Sequence, residues 1–283
     1  GCHVRFNCTH YLNSCGNCPL LKTPANDDVS HQIWGRKNEA YRDLNANFIT
    51  PSNWLGEAAK QSGLLKNYPV SVIPNTLETK IFKPINKKEA RATLNLPQNQ
   101  FLLLSGFMPS KKDAHKGTSY LIEAIDLWIA THPELIDKAT LIVFGNRYSE
   151  TAPSFKIDVT FLGTINDDDK LANAYAAADV FLTTSLEDNL PNTVMESLAC
   201  GTPVVSFTTG GIPDMVHHQH NGYLARYKDS KDFAAGINWV YHHPDKEKLN
   251  EKARETVMEN FSEDVIADKH IKLYQNLLNG KKV

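Results

Sequence analysis

The chain carries almost no net charge, few cysteines beyond its first eighteen residues, and no apolar run long enough to cross a bilayer. Each shortage excludes something. A spanning helix needs about 20 consecutive apolar residues, and none are present. No stretch has the pattern of a secretory signal peptide. A formal net charge of −2 offers no basic surface for nucleic acid, so no nucleic-acid partner is expected. Peripheral association with a membrane surface is left open by all three. Beyond Cys2, Cys8, Cys15 and Cys18 the sequence has only Cys200. A chain of 283 residues, 41% hydrophobic, can bury a core without disulfide staples, so a cytoplasmic location is expected. Internal repeats and low-complexity tracts are also missing. The opening "GCHVRFNCTHYLNSCGNCPLLK" starts on Gly1 rather than Met and reads as a loop already under way. The expectation is an N-terminally truncated piece of a longer protein.

What is present is an alternation. Helical patterns over 29–44 and 53–65 flank strand patterns over 46–52 and 68–75, a β-α-β unit like the end of a doubly wound domain. A linker candidate surrounds Pro84–Asn86, followed by a short helix at 87–94. Strands are predicted at 101–107, 139–146, 158–163, 180–185 and 203–207. Helices are predicted at 116–133, 169–179, 191–201, near 230–243 and 246–258, and at 262–278. Near-continuous apolar strands alternating with helices indicate an α/β fold with a parallel sheet covered on both faces.

Two acids stand out in "SLEDNLPNTVMESLACGTPVVSF". Ligands of doubly wound sheets bind beyond the carboxyl ends of the strands, and "LEDNLPN" follows such an end at Ser185. Pro191 suits the first turn of a helix, whose free N–H groups favour an anion such as phosphate. Asp188 before that helix and Glu196 within it can grip separate hydroxyls of a long ligand, since carboxylates are strong acceptors. On spacing alone, the plainer reading is favoured: Glu196 as a solvated helix residue and Asp188 as a capping acid.

The wider stretch "SLEDNLPNTVMESLACGTPVVSFTTGGIPDMVHHQHNGYLA" resembles the donor-binding signature of the family-four retaining glycosyltransferases, group-1 type, with the GT-B fold. Those carry Glu, seven residues, Glu, then "G-x-P-V-V", "G-G-x-P-E" and "N-G". Here Asp188 and Glu196 fall at the two Glu positions, Asp214 at the later Glu, and Asn221 and Gly222 at the final pair. "VIPNTLETKIFKP" looks like the interdomain segment, "LLLSGFMPSKKDAHKGTSYLIEAI" like the first donor-domain strand, phosphate loop and helix, and "VTFLGTINDDDKLANAYAAADVFLTTS" like the base-binding turn and next strand. "FSEDVIADKHIKLYQNLL" looks like the closing helix. The resemblance covers almost everything from residue 46 onward.

The resemblance implies three segments: 1–83 as a remnant of the N-terminal, acceptor-side Rossmann-like domain; 84–261 as a complete C-terminal nucleotide-sugar-binding domain; and 262–283 as a helix returning toward the first. It implies a donor-binding set of Lys116, Leu162, Gly163, Thr164, Asp188, Asn189, Leu190, Pro191, Asn192 and Glu196. In that set Glu196 binds ribose hydroxyls and Asp188 the hydroxyls of the transferred sugar. Backbone N–H groups around Asn189–Asn192 cradle the diphosphate. Lys116 neutralises the leaving nucleotide, so that Asp188, Glu196 and Lys116 carry catalysis without a metal. Leu162, Gly163 and Thr164 line the base pocket. Two departures matter. The Arg that commonly precedes the "K-G" lysine is absent, with Lys111, Lys112 or His115 as substitutes, and Asp188 shortens the acidic arm. His3 does not match the crevice histidine of similar chains.

The implied activity is transfer of a sugar from a UDP-sugar or GDP-sugar to a glycan or lipid-linked acceptor with retained configuration. The setting of similar chains is polysaccharide or lipid-linked glycan assembly at the cytosolic face of a membrane. A sugar-nucleotide epimerase of the same fold, or a donor-binding unit without turnover, are the alternatives. Separately, Cys2, Cys8, Cys15 and Cys18 could close a tetrahedral structural zinc site, with His3 and His10 as alternative ligands. Redox-active thiols or ordinary reduced cysteines fit the same spacing. Cys200 reads as a small core residue, and "VHHQHNG" as a surface loop.

Overall fold

The computed structural model describes residues 8–106, 116–145 and 155–280. Contacts divide the chain into two compact units, one of residues 1–74 with 267–283, the other of residues 75–266. The sequence reading placed its breaks at 83/84 and 261/262.

In the first unit, α1 (Val29–Tyr41) is followed by β1 (Phe48–Thr50), α2 (Asn53–Gln61) and β2 (Val70–Val72). The two strands pair in parallel, with Phe48 opposite Val70. Phe48 meets the edge of Tyr68, ring centres 5.4 Å apart. Helix α1 starts at Asp28, whose carboxylate accepts from the Ser30 and His31 backbone N–H groups. Ser52 caps α2 in the same way through Leu55.

The second unit holds one six-stranded parallel sheet. Its strands are β3 (Phe101–Gly106), β4 (Ala139–Phe144), β5 (Asp158–Gly163), β6 (Val180–Thr183), β7 (Val204–Phe207) and β8 (Gly222–Ala225), in the order β5-β4-β3-β6-β7-β8. Its helices are α3 (Lys87–Thr93), α4 (Thr118–Thr131), α5 (Asp168–Ala177), α6 (Asn192–Ala199), α7 (Ser230–Tyr241) and α8 (Lys246–Asn260); α9 (Glu263–Leu278) begins here and continues into the first unit. Strand side chains alternate between two cores because successive residues point to opposite faces. Leu102 and Leu104 pack with α5, α6 and α8, whereas Phe101 and Leu103 pack with α4 and α7. Leu102, Leu103 and Leu104 are fully buried, each worth about 1.5–3 kcal/mol of apolar burial. Strand order reverses between β3 and β6, and such a switch point opens a crevice at the carboxyl edge.

Two charged anchors hold elements of this unit. Buried Arg91 on α3 donates to the Ala177, Gln98 and Gln100 carbonyls and pairs with Asp179 at 2.8 Å. Arg254 on α8 donates to the Phe82, Thr79 and Ala199 carbonyls.

The α/β class and the parallel sheet match the sequence expectation. Strand β8 was not anticipated. It is four residues long and opens on Gly222, where a β-carbon would stand 2.3 Å from the Val204 carbonyl oxygen. The expected four-cysteine zinc site finds no support. Among the described residues no three His, Cys, Asp or Glu side chains gather for a metal; Cys2 and His3 lie outside the described residues. Cys8 and Cys15 are half-buried and Cys18 is buried. A carboxylate organises this loop instead. Asp28 accepts from the Cys18 N–H at 2.8 Å and from the Ser30 hydroxyl at 2.6 Å. His10 Nδ1 lies 2.9 Å from the Gly16 carbonyl oxygen, which engages it within the loop.

Candidate functional site at the strand-order switch

The switch point is flanked by the start of α4 and by the chain leaving β6. Thr184, just past β6, is buried, and its hydroxyl donates to the Lys116 carbonyl at 2.8 Å. Gly117 follows with φ +60°, and a β-carbon there would stand 2.2 Å from the Thr184 carbonyl oxygen. Only glycine accepts both the left-handed backbone and that approach. The "KG" pair therefore fixes Lys116 where α4 begins, at the end of β6.

Across the crevice, the loop 184–190 is held from behind. The Asp188 carbonyl accepts from the Gly211 N–H at 3.2 Å, and the Leu186 carbonyl accepts from the Thr209 hydroxyl at 3.0 Å. Gly210, φ +52°, lies so close beneath Asp188 that a β-carbon would stand 1.6 Å from its carbonyl oxygen. The "GG" of "GGIPD" thus seats Asp188.

Lys116 and Asp188 come together. Lys116 Nζ lies 3.7 Å from Asp188 Oδ2, with the lysine side chain 45% exposed and the aspartate 23%. That separation is longer than a direct hydrogen bond, and half-exposed pairs contribute little to stability. The lysine is thereby available to a competing anion. Burial raises the Asp188 pKa, opposed by Lys116 and by the Asn189 backbone N–H.

Pro191 is the N-cap of α6, one position earlier than the first turn expected for it, and it makes no side-chain cap. Asp188 does not cap this helix, which removes the plain alternative for that residue. Glu196 is half-buried rather than solvated. Its Oε2 accepts from the Tyr175 hydroxyl at 2.8 Å, and Tyr175, on α5, is completely buried. Burial raises the Glu196 pKa; the Tyr175 hydrogen bond lowers it and Asp168 raises it. Sequence reasoning passed over Tyr175. The signal available was one aromatic hydroxyl inside the alanine-rich run "ANAYAAAD".

Leu162, Gly163 and Thr164 sit at the carboxyl end of β5, at the sheet's far edge. Three strand spacings, about 14 Å, separate β5 from β6. Gly163 has φ +70°, its carbonyl accepts from the Gly145 N–H at 2.9 Å, and the Thr164 hydroxyl donates to the Gly145 carbonyl. The named residues therefore spread along one carboxyl edge. Lys111, Lys112 and His115 lie outside the described residues. Asn221 is a structural residue: fully buried, its side chain bonds the His217 N–H, the Met215 carbonyl and the Thr256 hydroxyl. Cys200, at the end of α6, is buried and its thiol is pushed up to about 12 by that burial.

A parallel sheet in this order, with Lys116 and Asp188 paired at its strand-order reversal, defines a doubly wound class of α/β domain. The sequence profile of glycosyl transferases group 1 matches residues 100–243, and the chain belongs to that family. A D-inositol 3-phosphate glycosyltransferase of Stackebrandtia nassauensis is 30% identical over 181 residues, 60% of this chain and 40% of that protein. The chain spans about two fifths of the length of the D-inositol 3-phosphate glycosyltransferases it matches. Among solved structures, sucrose-phosphate synthase from Thermosynechococcus elongatus superposes with a TM-score of 0.70 at 25% identity, over 90% of this chain and 63% of that one. Anabaena HepE in complex with UDP-glucose superposes with a TM-score of 0.68 at 20% identity, over 88% and 68%. The fold is that of the GT-B glycosyltransferases. No helix among the described residues is long and apolar enough to cross a membrane.

Proposed function

We propose that the protein acts in transferring a sugar from a nucleotide-diphosphate donor, a UDP-sugar or GDP-sugar, to a glycan or lipid-linked acceptor with retained configuration. The observation that carries this reading is the loose Lys116–Asp188 pair beside the bare start of α6. Breaking the sugar–phosphate bond sends its electron pair to the leaving oxygen, so the diphosphate gains one negative charge over the donor. Lys116 and backbone N–H groups around Asn189–Asn192, where Pro191 has none to give, would stabilise that charge as it develops. Asp188, released from Lys116, accepts from hydroxyls of the transferred sugar. Glu196 accepts from the ribose, and Leu162, Gly163 and Thr164 line the base through backbone groups. Residues 84–261 serve as the donor-binding domain and 1–83 as part of the acceptor side. Placing the reaction at the cytosolic face of a membrane rests on the resemblance alone.

The test is calorimetric titration of UDP and GDP. Saturable binding of one is expected, and Glu196→Ala should weaken it about ten- to hundredfold, the worth of hydrogen bonds to a charged group. Absence of binding by either nucleotide sinks the reading. Anomeric configuration of the product, read by NMR, decides retention. Release of an epimerised sugar without acceptor would favour the epimerase instead.

A further inference from the structure

We infer that Tyr175 is a positioning residue for Glu196: its buried hydroxyl holds Oε2 and leaves the other carboxylate oxygen to a ligand hydroxyl. The inference rests on the reading of Glu196 as the ribose acceptor. The tyrosine ring is completely buried and meets Phe82, Phe144 and Phe181 edge-on, with centres 6.5, 5.8 and 5.4 Å away. The ring is fixed, so the hydroxyl keeps only rotation about its C–O bond. A buried phenol needs an acceptor, and here the acceptor is Glu196 Oε2 at 2.8 Å. A glutamate has three side-chain torsions to order, and one oxygen tied to a rigid donor orders them before any ligand arrives.

Packing alone explains the ring but not the charge state of its partner. The groups facing Glu196 are Tyr175 and Asp168 on α5 and Cys200 on its own helix; Arg254 on α8 faces Cys200. Burial and Asp168 favour the protonated acid, and the Tyr175 hydroxyl opposes them. A protonated Glu196 is a poorer acceptor for a ribose diol. Removing the hydroxyl raises the Glu196 pKa, so binding fails at a higher pH as the solution is acidified.

The experiment titrates UDP and GDP into the full chain across about pH 5 to pH 8, for wild type, Tyr175→Phe, Glu196→Gln and the double variant. Tyr175→Phe is expected to move the acid limb of the binding profile to higher pH, with an affinity loss of about tenfold on that limb, the worth of a hydrogen bond to a charged group, and near-wild-type affinity at the alkaline end. In the Glu196→Gln background the same change should do nothing further. Glu196→Asp, which draws the acid away from both the hydroxyl and the ribose while leaving the ring in place, should lose affinity at the alkaline end as well and covers the case in which Tyr175→Phe does not fold. A Tyr175→Phe or Glu196→Asp profile superimposed on wild type overturns the inference. So does an equal loss from Tyr175→Phe with Gln at 196. Failure of wild type to bind either nucleotide instead overturns the reading of the site.

Discussion

The starts of α1 to α8 fall into two sets. Helices α1, α2, α3, α5, α7 and α8 begin at Asp28, Ser52, Asn86, Asp167, Asp229 and Asp245, each accepting from backbone N–H groups of its first turn. Helices α4 and α6 begin at Gly117 and Pro191 with no side-chain cap. The bare pair follow β3 and β6, the two strands between which the sheet order reverses. A cap is worth about 1 kcal/mol. Where it is absent, the N–H groups and the positive end of the helix are left for an anion. Stability and binding therefore want different residues at the same structural position, and the crevice is where binding prevails.

The largest expected effect comes from disturbing the backbone that bares α4. Gly117→Ala would place a methyl group 2.2 Å from the Thr184 carbonyl oxygen in a left-handed conformation. The strain is worth about 1–3 kcal/mol, and relieving it must move Lys116. Chemical denaturation should show that loss, and nucleotide titration a weakened affinity. The same change at an ordinary helix start would register only in the first measurement, so intact binding in Gly117→Ala breaks the comparison.

How far these features could be read from the sequence varies with their range. The alternation of apolar strands and helices sufficed for the α/β class, because continuous runs such as "FLLLSG" and "ATLIVF" are buried on both faces. The motif and Pro191 drew attention to the acids and Lys116, and the structure brings Lys116 and Asp188 together. The reasons for the neighbouring glycines were not, since Gly117 meets Thr184 and Gly210 meets Asp188 only after the chain has folded back. Tyr175 was missed for the same reason: its partner is 21 residues away on another helix. The four cysteines drew attention to a metal, while the group that binds their loop is Asp28, a single acid with no motif.

Smaller effects sharpen the contrast from both sides. Pro191→Ser supplies a side-chain oxygen to the start of α6. It should raise stability by about 1 kcal/mol while weakening UDP or GDP binding roughly fivefold, the equivalent of that energy. Asp245→Ala removes the cap that accepts from the Lys248 N–H at 2.9 Å. It should cost about 1 kcal/mol in thermal or denaturant unfolding and leave nucleotide affinity unchanged. Two variants moving stability and binding in the same direction would show that the caps and the crevice are not in competition.

Least visible at neutral pH is the effect of Asp28, the cap with the most partners. Its carboxylate accepts from the Ser30 hydroxyl and from the Cys18, Ala25 and Ser30 backbone N–H groups, and these hold its pKa well below the usual carboxylate range. A depressed carboxyl contributes stability that is fully present above its unfolded value of about 3.9 and is lost as the pH falls below it. The expected outcome is a melting temperature that declines from about pH 4 downward, with a shallower decline in Asp28→Asn, which cannot gain the proton. Identical acid limbs for the two would mean that the loop around Cys18 is held by something other than this carboxylate, and would separate α1 from the other capped helices.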